Sequence, residues 1–252
     1  PNTNAIIKVD LNRHRRTFGH IVGSYKGNID QSNAALFQAS RPTCELVPDD
    51  PFRQVPQSDQ RLKFFQVGLS NSHGCLQLDL DFGAGPNLIR QPHGRLVVGD
   101  LQKSGVYHAV DGASMRGVWT SMLGFSCVVC NGSSTAYDDT DSAVLADVGP
   151  GSVMTAVASA NGSPRWRSPI GDGIHYEGVS VADGVAYTVD FYGNLDVVDE
   201  HTGLPIARRP MLADAGPDTM TFGSAGVAIA RGTVFAAAGS HVVAYRPMSA
   251  AP

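Results

Sequence analysis

The feature that most constrains the fold is a set of short, β-rich runs that recurs every 40 to 48 residues. Aligned on Val110, Ala158, Val198 and Ala244, the copies lie 48, 40 and 46 residues apart, and Val9 in AIIKVDL marks an earlier copy 101 residues before Val110. Each copy holds three or four strand-like runs separated by Gly, Asp and Pro turn residues. This period is typical of propeller blades, because the 3.6-residue apolar spacing of stacked helical repeats is missing.

A twisted blade cannot cover both of its own faces, so blades pack against their neighbours in a ring. The sequence therefore predicts an all-β fold, a β-propeller with about five recognisable blade repeats in one domain over residues 1–252. Residues 20–77 interrupt the pattern, since they are rich in Gln, Ser, Asn, Pro and Asp and show little periodicity. We expect a loop-rich insertion there, with KFFQVG at 63–68 as a short strand.

The repeats end in an Asp-x-x-x-Gly-x-x-Trp turn or a remnant of it. Trp119 and Trp166 keep the tryptophan, whereas the third copy has Ile206 and Ala207 at this place. A tryptophan at the start of the outer strand can pack into the gap between blades and bury up to roughly 200 Å². The pattern therefore predicts a structural role for both tryptophans.

Charge and hydropathy exclude two classes of partner. The net charge of -4 gives no basic surface of the kind that binds nucleic acid, and the basic run LNRHRR at 11–16 is expected to be a solvated turn. No apolar run approaches the roughly 20 residues that a membrane-spanning helix needs. We therefore expect no nucleic-acid partner and no membrane span.

The four cysteines form two candidate pairs. Cys44 and Cys75 flank a polar stretch of the insertion that a disulfide would shorten, and Cys127 and Cys130 form a CxxC in an apolar context. Two disulfides would suit an oxidising compartment, whereas reduced thiols would suit the cytosol, and the spacing alone leaves both open. For Cys127 and Cys130, a local disulfide or buried thiols are favoured over a redox role.

DLDFGAGPNL, GDLQKSGVYHAVD and the repeated D-x-x-TG turns together resemble the quinoprotein propellers, in particular the polyvinyl-alcohol-dehydrogenase-like branch of the pyrroloquinoline-quinone (PQQ) dehydrogenases. The resemblance covers residues 78–205 well and the flanks weakly. It implies an eight-bladed ring with PQQ and Ca²⁺ near its axis. It also implies a small-molecule or polymeric alcohol as substrate, and an extracellular or periplasmic location.

The resemblance assigns roles to three residues. Asp81, in the family's W/L-D-F/Y motif, would take the proton from the alcohol and contribute to the metal site, and Lys103 in the K/R-x-G turn would bind the quinone oxygens. Asp79 would raise the pKa of Asp81 or bind the cofactor or metal. Tyr176 in GDGIHYEG begins a blade, where side chains can face a ligand in the channel; a satisfied polar turn is the alternative.

Several departures from the family favour a rival function. Its Glu and Asn calcium ligands, adjacent-cysteine pair and sandwiching tryptophan are expected in blades ahead of AIIKVD, and a further chain or segment would have to supply these blades. Cys130 is followed by Asn131 rather than His, so the CxxC is not a haem-attachment motif. The alternative is a non-catalytic quinoprotein-like propeller that acts as a binding or assembly scaffold.

Overall fold

The structure is a computed structural model that describes residues 5–27, 54–56, 75–77, 82–91, 94–124, 131–149, 153–171, 178–215 and 226–246. Within these ranges the regular structure consists of β-strands and one short helix, α1 (Met211–Ala215). This helix is far too short to cross a membrane, and no described helix is long and apolar enough to do so.

The centre of the fold is three four-stranded antiparallel sheets in which each strand pairs with the next in sequence. Blade 1 contains β5 (Asn87–Arg90), β6 (Leu96–Leu101), β7 (Val106–Asp111) and β8 (Gly117–Met122). Blade 2 contains β9 (Ala136–Asp138), β10 (Ala143–Val148), β11 (Val153–Ala158) and β12 (Pro164–Pro169). Blade 3 contains β13 (Ser180–Ala182), β14 (Val185–Val189), β15 (Asn194–Asp199) and β16 (Pro205–Pro210).

Smaller sheets flank the three blades. The N-terminal sheet pairs β1 (Ala5–Val9) with β2 (Ile21–Lys26), and a short hairpin pairs β3 (Gln54–Pro56) with β4 (Cys75–Gln77). The C-terminal sheet contains β17 (Ala228–Ala230), β18 (Thr233–Ala238) and β19 (His241–Tyr245). The prediction of an all-β propeller is confirmed: four-stranded blades follow one another, and the described sheets do not close a ring.

A β-bulge at one position fixes which residues are equivalent. The register shifts just before Val9, Val110, Val157 and Val198 where the third strand of each sheet meets the fourth. The sequence alignment is therefore right at Val9, Val110 and Val198 and wrong by one residue at Ala158. Blade 2 has Ala158 where blades 1 and 3 have the turn aspartates Asp111 and Asp199, so the sequence of blade 2 lacks the residue that fixes the alignment in the other two.

The C-terminal sheet shows the same one-residue error. Its first hairpin pairs Ala230 with Thr233, as the blade 3 hairpin pairs Ala182 with Val185. Counting from these turns, Tyr245 rather than Ala244 is equivalent to Val198, because Val234 pairs with Tyr245 as Ala186 pairs with Val198.

The bulge also identifies the N-terminal sheet as the outer half of a blade, with β1 as third strand and β2 as fourth. Within the predicted insertion over 20–77, Ile21–Lys26 is therefore a paired strand. Gly23 and Ser24 break the apolar alternation of β2, so its pairing with β1 rather than its composition makes it a strand. The predicted strand at 63–68 and both cysteine pairings lie outside the described residues and side chains.

Consecutive sheets bury apolar faces against each other. Between blades 1 and 2, Leu101, Tyr107 and Leu123 pack with Val144 and Val157, all of them buried. Similar apolar clusters join blade 2 to blade 3, blade 3 to the C-terminal sheet and the N-terminal sheet to blade 1. Burial between neighbours, at about 25 cal/mol per Å² of apolar surface, is therefore what stabilises the stack.

The two tryptophans join blades in the same way, which confirms their predicted structural role. Trp119 Nε1 donates to the carbonyl of Ser159 at 3.1 Å, and a Cβ added to Gly162 would lie 2.5 Å from the Trp119 ring. Trp166 Nε1 donates to the carbonyl of Glu200 at 2.8 Å, and a Cβ added to Gly203 would lie 2.5 Å from the Trp166 ring. We call each pair of left-handed glycine and accepting carbonyl a tryptophan seat.

At the interface between the N-terminal sheet and blade 1, the large and the small residue of the tryptophan seat are exchanged. Gly23 of β2 occupies the position of the tryptophan, and Met115, at φ 57°, occupies the position of the seat glycine. A Cβ added to Gly23 would lie 2.8 Å from Cγ of Met115, so the methionine fills the space that an indole fills elsewhere. Lys8 Nζ donates to the carbonyl of Gly112 at 2.9 Å and replaces the indole N–H.

Candidate functional site

Of the four predicted site residues, the structure describes Lys103. Asp79, Asp81 and Tyr176 lie outside the described residues, so their roles stay predictions. Calcium binding, which depends on Asp81, also stays a prediction. Among the residues described, no group of three or more His, Cys, Asp or Glu side chains is placed to hold a metal ion.

Lys103 lies half-buried in the turn between β6 and β7. The turn is closed by Gln102, whose N–H donates to the Val106 carbonyl at 3.0 Å and whose carbonyl accepts from Gly105 at 2.8 Å. Gly105 has φ 84°, and a Cβ there would lie 2.2 Å from the carbonyl oxygen of Gly124, so only glycine fits. Local sequence and a close neighbour therefore together fix the backbone that carries Lys103.

Gly83, the last residue of the DLDFG motif, lies close to the QKSG turn. A Cβ added to Gly83 would lie 3.2 Å from Cε of Lys103 and 3.5 Å from Cα of Gly132. Gly83 follows Asp81 by two residues, and because Asp81 itself lies outside the described residues, its approach to Lys103 stays a prediction. We call the surface formed by Gly83, Lys103 and Gly132 the mouth.

A buried hydrogen-bond chain lies beside the mouth. Tyr25 Oη is 3.1 Å from His108 Nδ1, and His108 Nε2 is 3.2 Å from Gln102 Oε1. Since the amide oxygen of Gln102 only accepts, Nε2 carries the proton and Nδ1 accepts from Tyr25. Ser104 Oγ donates to the same oxygen at 2.7 Å, and Phe82, next to Asp81, packs edge-on against His108 with ring centroids 5.4 Å apart.

The sequence did not predict this hydrogen-bond chain. A polar residue, His108, within the apolar strand VYHAVD is the one local signal for it, and Tyr25 belongs to the region predicted as an insertion. The hydrogen-bond chain connects the N-terminal sheet to blade 1 and holds Gln102 at the base of the Lys103 turn. It therefore supports that turn.

Two buried carboxyl groups, those of Asp100 and Glu200, have raised pKa values. Asp100 on β6 accepts from the N–H of Leu101 at 2.9 Å, and burial raises the pKa of Asp100 to about 7. Glu200 lies between blades 2 and 3 with 1% of its surface exposed. Burial, together with the nearby Asp138 carboxylate, raises the pKa of Glu200 to about 7.

We expect the folded chain to be more stable at pH 5 than at pH 8, by about 5 kcal/mol, since each of the two groups contributes about 1.4 kcal/mol per pH unit between pH 5 and pH 7. In the unfolded chain Asp100 and Glu200 lose their protons near pH 4, whereas in the folded chain they keep them to about pH 7. Over this window the native state binds more protons, so stability falls as pH rises, and the loss is complete above pH 7. Urea unfolding midpoints at pH 5 to 8 measure it.

Glu200→Gln should reduce this pH dependence by about half, because the amide does not ionise while Asp100 still does. Asp183→Asn, at an exposed turn position, is the matched control and should leave the slope unchanged. Stability that rises from pH 5 to pH 8 would contradict the assignment of Asp100 and Glu200 as protonated groups.

Neither a protein-family profile nor a curated protein sequence matches the chain. Similar solved structures include BamB from Moraxella catarrhalis, with 14% identity over 63% of this chain and 45% of that one and a TM-score of 0.44. A quinohemoprotein alcohol dehydrogenase, ADHIIG from Pseudomonas putida HK5, has 13% identity over 64% of this chain and 28% of that one, with a TM-score of 0.47. The computationally designed Ika4 protein has 11% identity over 65% and 91%, with a TM-score of 0.49.

The chain thus spans less than half the length of BamB and of the quinohemoprotein dehydrogenase. With every TM-score below 0.5, these similarities carry no argument about function. What the chain does must be argued from the mouth and from the exposed surfaces.

Proposed function

We propose that the chain is part of a PQQ-dependent alcohol dehydrogenase and that the mouth contacts the quinone. The observation that carries this proposal is the approach of Gly83 in DLDFG to Lys103 in QKSG. These two motifs are the most specific part of the resemblance, and they are twenty-two residues apart between Asp81 and Lys103.

The composition of the mouth supports the fit of a planar, anionic quinone. Lys103 supplies one cation with three hydrogen-bond donors. Gly83 and Gly132 have no side chains, so a flat ring can approach the backbone closely. Calcium is a different case, because the described side chains form no oxygen cage for it. Asp81, the residue predicted to bind calcium, lies outside the described residues.

Each residue then has a defined task. Lys103 donates to a quinone oxygen and stabilises the negative charge that develops there. Asp81 accepts the hydroxyl proton of the alcohol, and Asp79 beside it raises the pKa of Asp81 by like-charge repulsion. Tyr176 borders the ligand. PQQ, when bound, supplies the acceptor for the hydride.

The wider assignments follow from the same proposal. The substrate is a small-molecule or polymeric alcohol, and the protein works in the periplasm or outside the cell. Blades beyond those that this chain forms come from a further segment or chain. The DLDFG and QKSG pairing supports these assignments.

Lys103→Met should weaken PQQ binding at least tenfold, because the ammonium is lost while the stem of the side chain still packs on Gly83. Lys103→Arg should keep most of the affinity. The measurement is the quinone absorbance that co-elutes with the protein after incubation with PQQ and Ca²⁺, followed by its bleaching on addition of an alcohol.

Lys26→Met removes an exposed lysine on β2 and serves as the matched control. Equal retention of PQQ by Lys103→Met and Lys26→Met would contradict the proposal. If the chain retains no chromophore, and Asp81→Asn leaves both stability and partner binding intact, the alternative of a binding or assembly scaffold replaces it.

A further inference from the structure

A pocket of about 390 Å³ opens between blades 2 and 3. Three turns form it: residues 139–142 between β9 and β10, residues 183–184 between β13 and β14, and residues 200–204 between β15 and β16. In antiparallel blades these turns lie at one end of the strands, whereas the β6–β7 turn that carries Lys103 lies at the other end. The pocket is therefore separate from the mouth, and its chemistry does not rest on the quinone.

The pocket carries several carboxylates and little opposing charge. Asp138, Asp141 and Asp183 line it. Among the described residues on its lining, the one basic side chain is that of His201, whose Nδ1 lies 2.8 Å from Oδ2 of Asp141. A concave surface lined by one sign of charge concentrates ligands of the opposite sign. The pocket therefore favours cations.

Glu200 adds a buried carboxyl group beside this surface. It is 1% exposed, and in the part of the chain that the structure describes neither of its carboxyl oxygens has a hydrogen-bond partner. Its backbone is fixed, because its N–H donates to the carbonyl of Gly184 at 2.9 Å and its carbonyl accepts from Trp166. A buried carboxyl group without a partner is costly, so a ligand that pairs with it would offset that cost.

The side chain of Glu200 is directed toward the pocket. Burial raises the pKa of Glu200, and the carboxyl groups of Asp138 and Asp141, which line the pocket, raise it further. Arg165 opposes this effect, but its Nη2 donates to the backbone carbonyls of Asp141 and Ser142, at 2.7 and 3.3 Å, rather than to a carboxylate. Carboxyl groups gathered in this way repel one another unless a proton or a cation lies among them.

The dimensions of the pocket indicate which kind of cation it takes. Among the residues described, no group of three or more His, Cys, Asp or Glu side chains is placed to hold a metal ion. The volume instead falls in the range of about 300 to 1,000 Å³ that is usual for small-molecule sites, and Tyr137, Val181 and Ala182 supply surface for a carbon chain. We propose that this acidic pocket binds a small organic cation, whose ammonium or guanidinium group pairs with Glu200 and Asp138.

Agmatine is the probe, because its guanidinium and its primary ammonium both stay charged between pH 6 and pH 8. We expect agmatine to bind the full chain at pH 8 with a Kd below about 1 mM, measured by isothermal titration calorimetry at low salt. The uncharged 1,6-hexanediol, which has a similar length, should not bind.

Glu200→Gln should weaken the binding of agmatine at pH 8 by about tenfold, because a charge-assisted hydrogen bond is lost. Asp183→Asn should weaken it by about threefold, and this exposed side chain can be changed without disturbing the core. Asp214→Asn is the matched control, because it removes an exposed carboxylate on α1 with the same change in net charge. It should leave the affinity unchanged.

The affinity should also fall by about tenfold from pH 8 to pH 6, because Glu200, with its pKa raised to about 7, takes up a proton in this range. The charged groups that face Glu200 are Asp138, Asp141 and Arg165. Histidine is the other residue type that gains a proton here, so His201→Gln separates the two sources. The pH dependence should persist in His201→Gln and disappear in Glu200→Gln.

No binding of agmatine at millimolar concentration, or unchanged affinity in Glu200→Gln, would overturn the proposal. If Glu200→Gln does not fold, the affinity of Asp183→Asn decides in the same way. An equal loss of affinity in Asp214→Asn would show that agmatine responds to net charge rather than to the pocket, and would also overturn it. Binding of Mg²⁺ instead of agmatine, abolished by Glu200→Gln, would show a metal site and exclude the organic cation.

Discussion

Replacing Trp119 with alanine is expected to lower the free energy of unfolding by about 3 to 5 kcal/mol. The ring stacks on Tyr107 of the same blade with centroids 5.5 Å apart, and it covers Gly162 of the next blade. Its N–H also donates to the carbonyl of Ser159. Alanine would leave a cavity at the interface and an acceptor without its donor. Chemical unfolding followed by circular dichroism measures the change.

Two variants separate packing from hydrogen bonding. Trp119→Phe keeps an aromatic ring over Gly162 but loses the indole N–H, so we expect it to cost less than the alanine variant, about 1 to 2 kcal/mol. Tyr192→Ala, at a tyrosine that is 65% exposed, is the control for loss of an aromatic residue. A loss below 1 kcal/mol for Trp119→Ala would show that the tryptophan seat contributes little to holding blades 1 and 2 together.

Substitutions of Gly23 and Met115, the exchanged pair between the N-terminal sheet and blade 1, should have strongly coupled effects on stability. Gly23→Trp alone should destabilise the chain by about 3 kcal/mol, since the new ring collides with Met115. Met115→Gly alone leaves a cavity and should cost about 1 to 2 kcal/mol. The double variant rebuilds the arrangement of the other two interfaces, and we expect its stability to lie within about 1 kcal/mol of the original.

A double-mutant cycle from urea unfolding measures the coupling, for which we expect at least 2 kcal/mol. Gly94→Trp provides a control: Gly94 has φ 74° and, unlike Gly23, open space around it, so this change should strain the backbone but show no coupling to Met115→Gly. Additive losses in the Gly23 and Met115 cycle would show that Met115 does not substitute for an indole.

The sequence predicted the strands of the blades well because local features determine them. β6, β7, β10, β11, β14, β15, β18 and β19 coincide with apolar runs between Gly and Asp turns. Turn aspartates gave the register where they are present. Asp199 Oδ1, for example, accepts from the hydroxyl of Thr202 at 2.7 Å and from its N–H at 2.8 Å, and these bonds lower the pKa of Asp199. The alanine side chain of Ala158 cannot accept such a hydrogen bond, and the sequence alignment is wrong by one residue at this position.

What the sequence could not predict depends on contacts distant along the chain. Tyr25 meets His108 eighty-three residues away, and Met115 replaces an indole only because Gly23 lies opposite it. No local pattern carries such pairings. For the site, the structure places Gly83 beside Lys103, whereas the predicted roles of Asp79, Asp81 and Tyr176 stay predictions. The supporting chain through His108 became visible only when the N-terminal sheet was placed against blade 1.

The tryptophan seats also give the stack a polarity. The outer strands of blades 1 and 2 reach forward to the turn of the blade that follows, so the turns of blades 2 and 3 are each secured by the preceding blade. Removing blade 3 would leave the turn of blade 2 secured, whereas removing blade 1 would release it.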